Sequence, residues 1–454
     1  MVVAAVTFTG CGGGGSSSGG TGNGAGAGNG NGNGNAASNP ELPGVPTAAD
    51  YAPAGGVSIS SAAPVVPTNT TLSGDIAKNI KLTADKTWYL DGKVNIKKGY
   101  KIVIEPGTTI AGKQPKSYMI IEPGAQIIAK GTKDQPIVFT SKKDADGQSA
   151  ANRTGEWGGL ILAGNAHTHY GRNKYEADTS VEFGGIGHDH DTESSGDLEY
   201  VVIKHSGFEV EKDKELNGLS LAGVGSGTTI KNVAIIGGSD DGVEIWGGTV
   251  NIDGLYVYNA QDDSVDTDLG YRGTIQNVLV RQVNVDKTNN HDSSAMEFGN
   301  DQNTIATDDA TATQPTIKNF TAYVKGGGFY NKFDAGFKWD NVKFISDKAT
   351  DFELVHFRGT DSYDSDAKHV LTDTCFFDSA VTLTEDNTFS KKNSKDPKTE
   401  KTAYQFFVTD AATTWKSHAD SLGIFRYNDK TSCAGVNEAN IWKGKAGSND
   451  PLEQ

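Results

Sequence analysis

Ile104-Glu105-Pro106-Gly107-Thr108-Thr109-Ile110 is answered 17 residues later by Ile121-Glu122-Pro123-Gly124-Ala125-Gln126-Ile127. Each copy is a short apolar run, a Pro-Gly turn and a second short run. Proline fixes one turn residue near φ −65°, and glycine supplies the positive φ of the next. A looser series lies downstream: Thr229-Ile230-Lys231-Asn232-Val233, Val250-Asn251-Ile252-Asp253-Gly254, Thr274-Ile275-Gln276-Asn277-Val278 and Thr316-Ile317-Lys318-Asn319-Phe320. Its Asn or Asp positions step by 21, 24 and 42 residues, and 42 reads as two steps with a degenerate rung between them. Repeats of 17–25 residues, built of short β runs and polar corners, predict the coils of a β-helix.

The strand chemistry agrees. Lys101–Ile104, Ile137–Phe139, Tyr200–Ile203 and Val278–Val280 are short and rich in β-branched residues. Alternate side chains of such runs enter a narrow core. Parallel coils stack about 4.8 Å apart, so Asn232, Asn277 and Asn319 are expected to form an amide ladder at one corner. The predicted fold is all-β, a right-handed parallel β-helix (solenoid) over residues 70–360. A disordered tether is expected over residues 12–69 and a capping subdomain over 361–454. Phe329, Phe333, Phe337 and Trp339 are expected to cover the open end, because an exposed edge would pair with other chains.

Composition narrows the function. The 454 residues carry 41 basic and 57 acidic side chains, a formal charge of −16, which argues against nucleic acid as a partner. It favours cations and basic partners. Hydrophobic content of 36 % with 57 glycines suits a thin, elongated core.

Met1 to Cys11 is an apolar run ending in small residues before a cysteine, with no Lys or Arg ahead of it. Phe8-Thr9-Gly10-Cys11 resembles the lipobox of a bacterial lipoprotein signal, which implies a membrane partner through lipidated Cys11. Gly12 to Asn35 is almost purely Gly, Ser, Asn, Ala and Thr, too polar to offset ordering entropy. From Gly12 to Gly56 such a coil spans roughly 35–40 Å. Two cysteines remain, Cys375 and Cys433. In a secreted chain the pair predicts a disulfide, contributing about 4 kcal/mol by the chain-entropy model.

Several motifs occur together in a fixed order. They include Trp88-Tyr89-Leu90-Asp91-Gly92, the first Pro-Gly copy, Gly155-Glu156-Trp157-Gly158-Gly159, Asn217-Gly218-Leu219-Ser220, Asp240-Asp241-Gly242-Val243-Glu244 and Asp262-Asp263-Ser264-Val265-Asp266. Over about residues 70–360 the set resembles a family of bacterial surface lipoproteins with a pectin-lyase-like right-handed β-helix. Its members are often labelled hypothetical lipoproteins or mislabelled as multidrug transporters. The resemblance implies an outer-membrane or cell-surface location and no established activity.

The acidic residues carry the sharpest chemistry. Asp240, Asp241 and Glu244 are followed one coil later by Asp262, Asp263, Asp266 and Asp268. Stacking would set Asp241 over Asp263 and Glu244 over Asp266, and His291, Asp292, Glu297 and Asp301 could continue the column. Carboxylates at coil spacing repel and raise one another's pKa unless a cation intervenes. Oxygen ligands in this number suit Ca²⁺. The alternatives are Asx turns facing solvent, or catalysis with Arg272 or Arg281 as base in a Ca²⁺-dependent polysaccharide lyase or a hydrolase. His167, His169, His188 and His190 form a second constellation, read either as a solvated loop or as a transition-metal site. Trp157, Trp246, Tyr271 and Phe298 are expected to serve as packing or as a sugar-stacking platform. A nucleophile elbow, an H-E-x-x-H motif and a P-loop are absent. Three functions follow: a non-enzymatic surface protein with a structural role or binding carbohydrate or cells, a Ca²⁺-dependent polysaccharide lyase or hydrolase, and a surface metal-binding protein.

Overall fold

The computed structural model describes residues 58–150, 152–211, 214–283, 293–300, 312–332, 335–346 and 434–444, with short strands between the last two segments. Its regular structure is almost entirely parallel β, joined coil on coil into one 26-stranded ladder. The fold is a right-handed parallel β-helix. Strand Lys101–Ile104 pairs with Gln126–Lys130, and Thr87–Ile96 with Thr109–Gly112 and Tyr118–Ile121.

Alternation builds the core. In Lys101–Ile104 the residues Ile102 and Ile104 are buried, and in Gln126–Lys130 so are Ile127 and Ala129. One continuous interior cluster runs from Leu72 to Phe344 and contains Trp88, Phe139, Trp157, Tyr271 and Phe298. Each fully buried Ile, Leu or Val contributes about 1.5–3 kcal/mol. Trp157 stacks on Phe139 at 6.4 Å and donates Nε1 to the Lys204 carbonyl at 2.6 Å.

The two Pro-Gly turns close as type II corners. The Thr108 amide donates to the Glu105 carbonyl at 3.3 Å and the Ala125 amide to that of Glu122 at 2.8 Å, with Gly107 and Gly124 at φ +81° and +79°. They are, however, different corners. The strand after the first turn, Thr109–Gly112, pairs with Ile137–Ser141, whereas the strand after the second, Gln126–Lys130, pairs with the strand before the first. The 17-residue spacing therefore advances part-way round one coil. A full coil here takes 22 residues (Thr87 to Thr109) or 25 (Lys101 to Gln126).

The Asn corners are in true register. Asn277 donates Nδ2 to Asp253 Oδ1 at 2.6 Å, Asn319 to Asn277 Oδ1 at 3.1 Å and Asn341 to Asn319 Oδ1 at 2.9 Å. Asn232, Asn277, Asn319 and Asn341 all take φ between +50° and +60°, a conformation whose cost Asn tolerates best after Gly. No degenerate rung separates the last two series members: Thr274–Arg281 pairs directly with Thr316–Val324. The extra length of that coil lies outside its ladder.

Both expected boundaries move outward. The segment assigned to the tether is docked from Ser60 onward. Asn79 Nδ2 donates to the carbonyls of Ser60 and Ala62 at 2.8 and 2.6 Å, and Val65 bridges to Ile80. At the other end the solenoid continues past residue 360, because Thr374–Asp378 pairs with Phe337–Ser346 and Ile424–Arg426 pairs in turn with Thr374–Asp378. Phe329, Phe337 and Trp339 stack on one another at 4.7–5.1 Å inside the core, with strands following above them, so they fill coils instead of capping the end. Phe333 lies outside the described residues. Residues 434–444 run along the side of the helix. Gly435 exchanges two hydrogen bonds with Asn341, Glu438 meets Arg281 and Tyr323, and Trp442 packs edge-on against Tyr200. This strap covers Ala234, Tyr256 and Leu279 with Val436 and Ile441.

A covered carboxylate row as the candidate site

One face of the solenoid carries an uninterrupted outward row: Ile120, Ile161, Ser220, Glu244, Asp266, Glu297 and Tyr330 are successive register partners. Alternation sets the direction. Val243 and Ile245 enter the core, so Glu244 and Trp246 face out. Outward here does not mean exposed. The insertion after Ala163 lays Tyr175, Val181 and Phe183 over this face, and Leu216, from the hairpin of Phe208–Glu211 with Lys214–Leu216, packs beside them on Ile120, Ile161, Ala222 and Trp246. Tyr175 meets Trp246 edge-on at 5.2 Å, and its hydroxyl pairs with Ser220 Oγ at 3.1 Å.

Along this face Asp241, Glu244, Asp263, Asp266 and Glu297 are only 2–8 % exposed. Three clusters bring ligand oxygens within 4.8 Å of one another: Asp240, Asp241 and Asp262; Asp241, Glu244 and Asp266; Asp263, Asp266 and Glu297. The corners hold the aspartates in place. Asp241 accepts the Asp263 amide on Oδ1 at 2.8 Å, Asp263 accepts that of Ser294 at 2.5 Å, and Asn217 accepts that of Asp241 at 3.2 Å. The Asx-corner reading and the metal reading thus meet in the same residues, and the corners are buried rather than solvated. Asn217 also donates to Glu244 Oε2. A small residue is required at Gly242, where a Cβ would stand 2.7 Å from the Ser264 carbonyl.

Burial pushes every one of Asp240, Asp241, Glu244, Asp263 and Asp266 well above the usual carboxylate range, and repulsion within the row adds to it. For Asp241 the repelling charges are Asp240, Glu244, Asp266 and Asp262. Two carboxylates about 4.8 Å apart repel by about 3.5 kcal/mol at an effective dielectric constant of 20. Such a row must share protons or hold a cation. Asp266 Oδ1 is buried without a hydrogen-bond partner, in the residue common to two of the clusters.

Over residues 74–420 the sequence matches the family described as the pectate-lyase-like beta helix domain. The chain belongs to that family. No curated protein and no solved structure matches it.

The other residues singled out in the sequence of this pectate-lyase-like helix fall elsewhere. Asp268 lies on the neighbouring outward row, outside the three clusters, and accepts the Leu269 amide. Glu297 does continue the column, whereas His291, Asp292 and Asp301 lie outside the described residues. Arg281 is on the strap face, paired with Glu438 at 2.7 Å, and Arg272 donates Nε to the Ala312 carbonyl at 3.0 Å. Trp157, Tyr271 and Phe298 are core, and Trp246 is covered, so these four do not form a stacking platform.

The four histidines do not share one centre. His167 and His188 stack at 4.5 Å, but His188 Nδ1 pairs with Asp191 at 2.7 Å and His190 Nδ1 with Glu193 at 2.5 Å, while the His169 ring packs on Tyr170. Among the described residues, no cluster of three metal-capable atoms includes an imidazole. His188 and His190 lie in turns, not on an extended segment. Cys375 lies in the strand Thr374–Asp378, and its expected partner Cys433, like Cys11, lies outside the described residues.

Sequence reasoning missed Lys332, Asn217, Glu176 and Glu215. Lys332 reaches the row from strand Gly327–Lys332 and contacts Glu297 Oε1. Glu176, in the insertion, is raised to about 8 by burial, then by the charges of Glu215 and Asp268, with Lys214 opposing. Coil register, which spacing left ambiguous, would have found Lys332; Glu176 and Glu215 come from segments that lie over the coils and carry no register signal.

Proposed function

We propose that this protein is a non-enzymatic cell-surface β-helix, lipid-anchored through Cys11, whose covered carboxylate row holds Ca²⁺ as a structural ion and whose outer faces bind carbohydrate or another cell. The observation that carries the cation reading is the buried Asp266 carboxylate, unpartnered at Oδ1 and within ligand range of Glu244 and Asp241 on one side and Glu297 and Asp263 on the other. Hard carboxylate oxygens in this number match the six to eight ligands of Ca²⁺.

Burial favours a structural over a catalytic ion. A lyase or hydrolase must bring a polymer to its charged groups, and these are only 2–8 % exposed. Of the arginines weighed as bases, Arg281 is paired with Glu438 on the strap face and Arg272 donates Nε to the Ala312 carbonyl. The lyase reading, and the surface metal-binding reading built on the histidines, therefore rank second.

Calorimetry on the full chain with calcium and with chelator tests this. Calcium raises the melting temperature, and Asp241→Asn with Asp266→Asn removes the rise. A ligand at a hundredfold excess over Kd adds about 2.7 kcal/mol. A melting temperature indifferent to calcium overturns the cation reading. Depolymerisation of any polysaccharide in calcium, lost in the same variants, overturns the non-enzymatic one.

A further inference from the structure

The carboxylate row ends on a cation. Lys332 is the only lysine or arginine that is buried among the described residues. Its Nζ contacts Glu297 Oε1, with side-chain exposures of 5 % and 3 %, and lies 4.9 Å from the centre of the Tyr330 ring. Glu297 belongs to the cluster with Asp263 and Asp266. The adjacent cluster of Asp241, Glu244 and Asp266 stands differently: the largest charge effects on Asp241 and Glu244 all come from other carboxylates. The Lys332 charge acts on Asp263 and Asp266. The two clusters share Asp266, whose Oδ1 is buried and unpartnered.

We propose that the Lys332 ammonium is a built-in counter-ion occupying one half of the row, so that the protein takes one divalent cation, at Asp241, Glu244 and Asp266, and that removing the ammonium opens a second divalent site at Asp263, Asp266 and Glu297. This rests on the reading of the row as a cation site. The physical reason is exclusion as much as charge. A buried lysine head cannot be displaced without losing its carboxylate partners and finding no water. A divalent ion cannot share so small a space with it. An arm that carried no charge would leave three buried carboxylates with the same need that the adjacent cluster has.

The test counts calcium ions bound per chain, by equilibrium dialysis and by titration calorimetry on the full-length protein. The wild type binds one in the row, Lys332→Met binds two, and Lys332→Arg, which keeps the charge, binds one. In the Lys332→Met background Asp263→Asn removes the second ion and spares the first. A wild type that binds two ions overturns the proposal. So does a Lys332→Met chain that binds one, or one that calcium does not fold. A wild type that binds none overturns the cation reading itself. One ion in both wild type and Lys332→Met leaves that reading standing and removes only the counter-ion.

Discussion

Glu244 and Asp266 are direct register partners on adjacent coils, both facing outward and both covered. Like charges placed directly opposite in a ladder destabilise it, so the pair must share a proton or hold a cation. Asp266→Asn should therefore act in opposite directions with and without calcium. In chelator the variant should melt at or above the wild-type temperature, because one of two repelling charges is gone. In saturating calcium it should melt below, having lost a ligand. Thermal melts of both proteins in both buffers check this, and a loss of equal size in the two buffers would make Asp266 a packing residue.

Asn277 couples two energies that substitution can separate. It sits at φ +58°, gives Nδ2 to Asp253 and accepts from Asn319. Asn277→Ala should cost about 3–4 kcal/mol, about 1–2 for the left-handed backbone and about 1 for each of the two hydrogen bonds. Asn277→Gly relieves the backbone part alone and should fall between. Chemical denaturation of the three proteins gives the order, and Gly equal to Ala would show that the ladder alone matters.

The residues that legibly predicted the fold are those whose requirement is local. A Pro-Gly corner, an Asn at positive φ and a β-branched alternation each need only their own neighbours. Register is not local. The 17-residue spacing matched two different corners, and the 42-residue step concealed one long coil with its excess outside the ladder. The acidic column was visible at coil spacing, down to Glu244 over Asp266. Its burial was not, because the cover is a largely polar insertion in which Tyr175, Val181 and Phe183, with Ala177 beside them, pack on the row's face. Lys332 was invisible for the same reason: nothing in Gly-Phe-Tyr-Asn-Lys says that its last residue meets Glu297. The strap escaped notice because Glu438 finds Arg281 across 157 positions of chain.

Glu176 makes the cover sensitive to pH. Its carboxyl is raised to about 8 in the fold by burial and then by the charges of Glu215 and Asp268, against about 4.3 in an unfolded chain. The folded state thus holds the proton that the unfolded state releases. The associated stability is full below about pH 4, falls as pH rises towards 8, and is gone above it. In chelator, Glu176→Gln should melt with the wild type at pH 4 and above it at pH 9. Melts across that range decide, and a variant less stable at pH 9 would mean that the Glu176 charge is paired.

Two of the strap's contacts are unlike in kind, and their magnitudes rank them. Glu438 accepts from Arg281 Nη2 at 2.7 Å and from the Tyr323 hydroxyl at 2.6 Å, with Arg281 stacked 4.3 Å over the Tyr323 ring. The ion pair is about one-third exposed on both sides, 32 % and 31 %, so it is worth at most about 1 kcal/mol. Ile441 is 8 % exposed among Ala234, Tyr256 and Leu279, and truncating such a side chain costs about 2 kcal/mol. Ile441→Ala should therefore loosen the strap more than Glu438→Gln does. Amide exchange of residues 436–442 should accelerate strongly in the first and weakly in the second, with the coils beneath unchanged. Tyr323 supplies an independent readout. Its phenol is raised by burial and then by Glu438, while Arg281 opposes the shift. Glu438→Gln should move its titration back towards the ordinary tyrosine value. If Glu438→Gln instead frees the strap as fully as Ile441→Ala, the charge is the latch and the apolar contact only follows it.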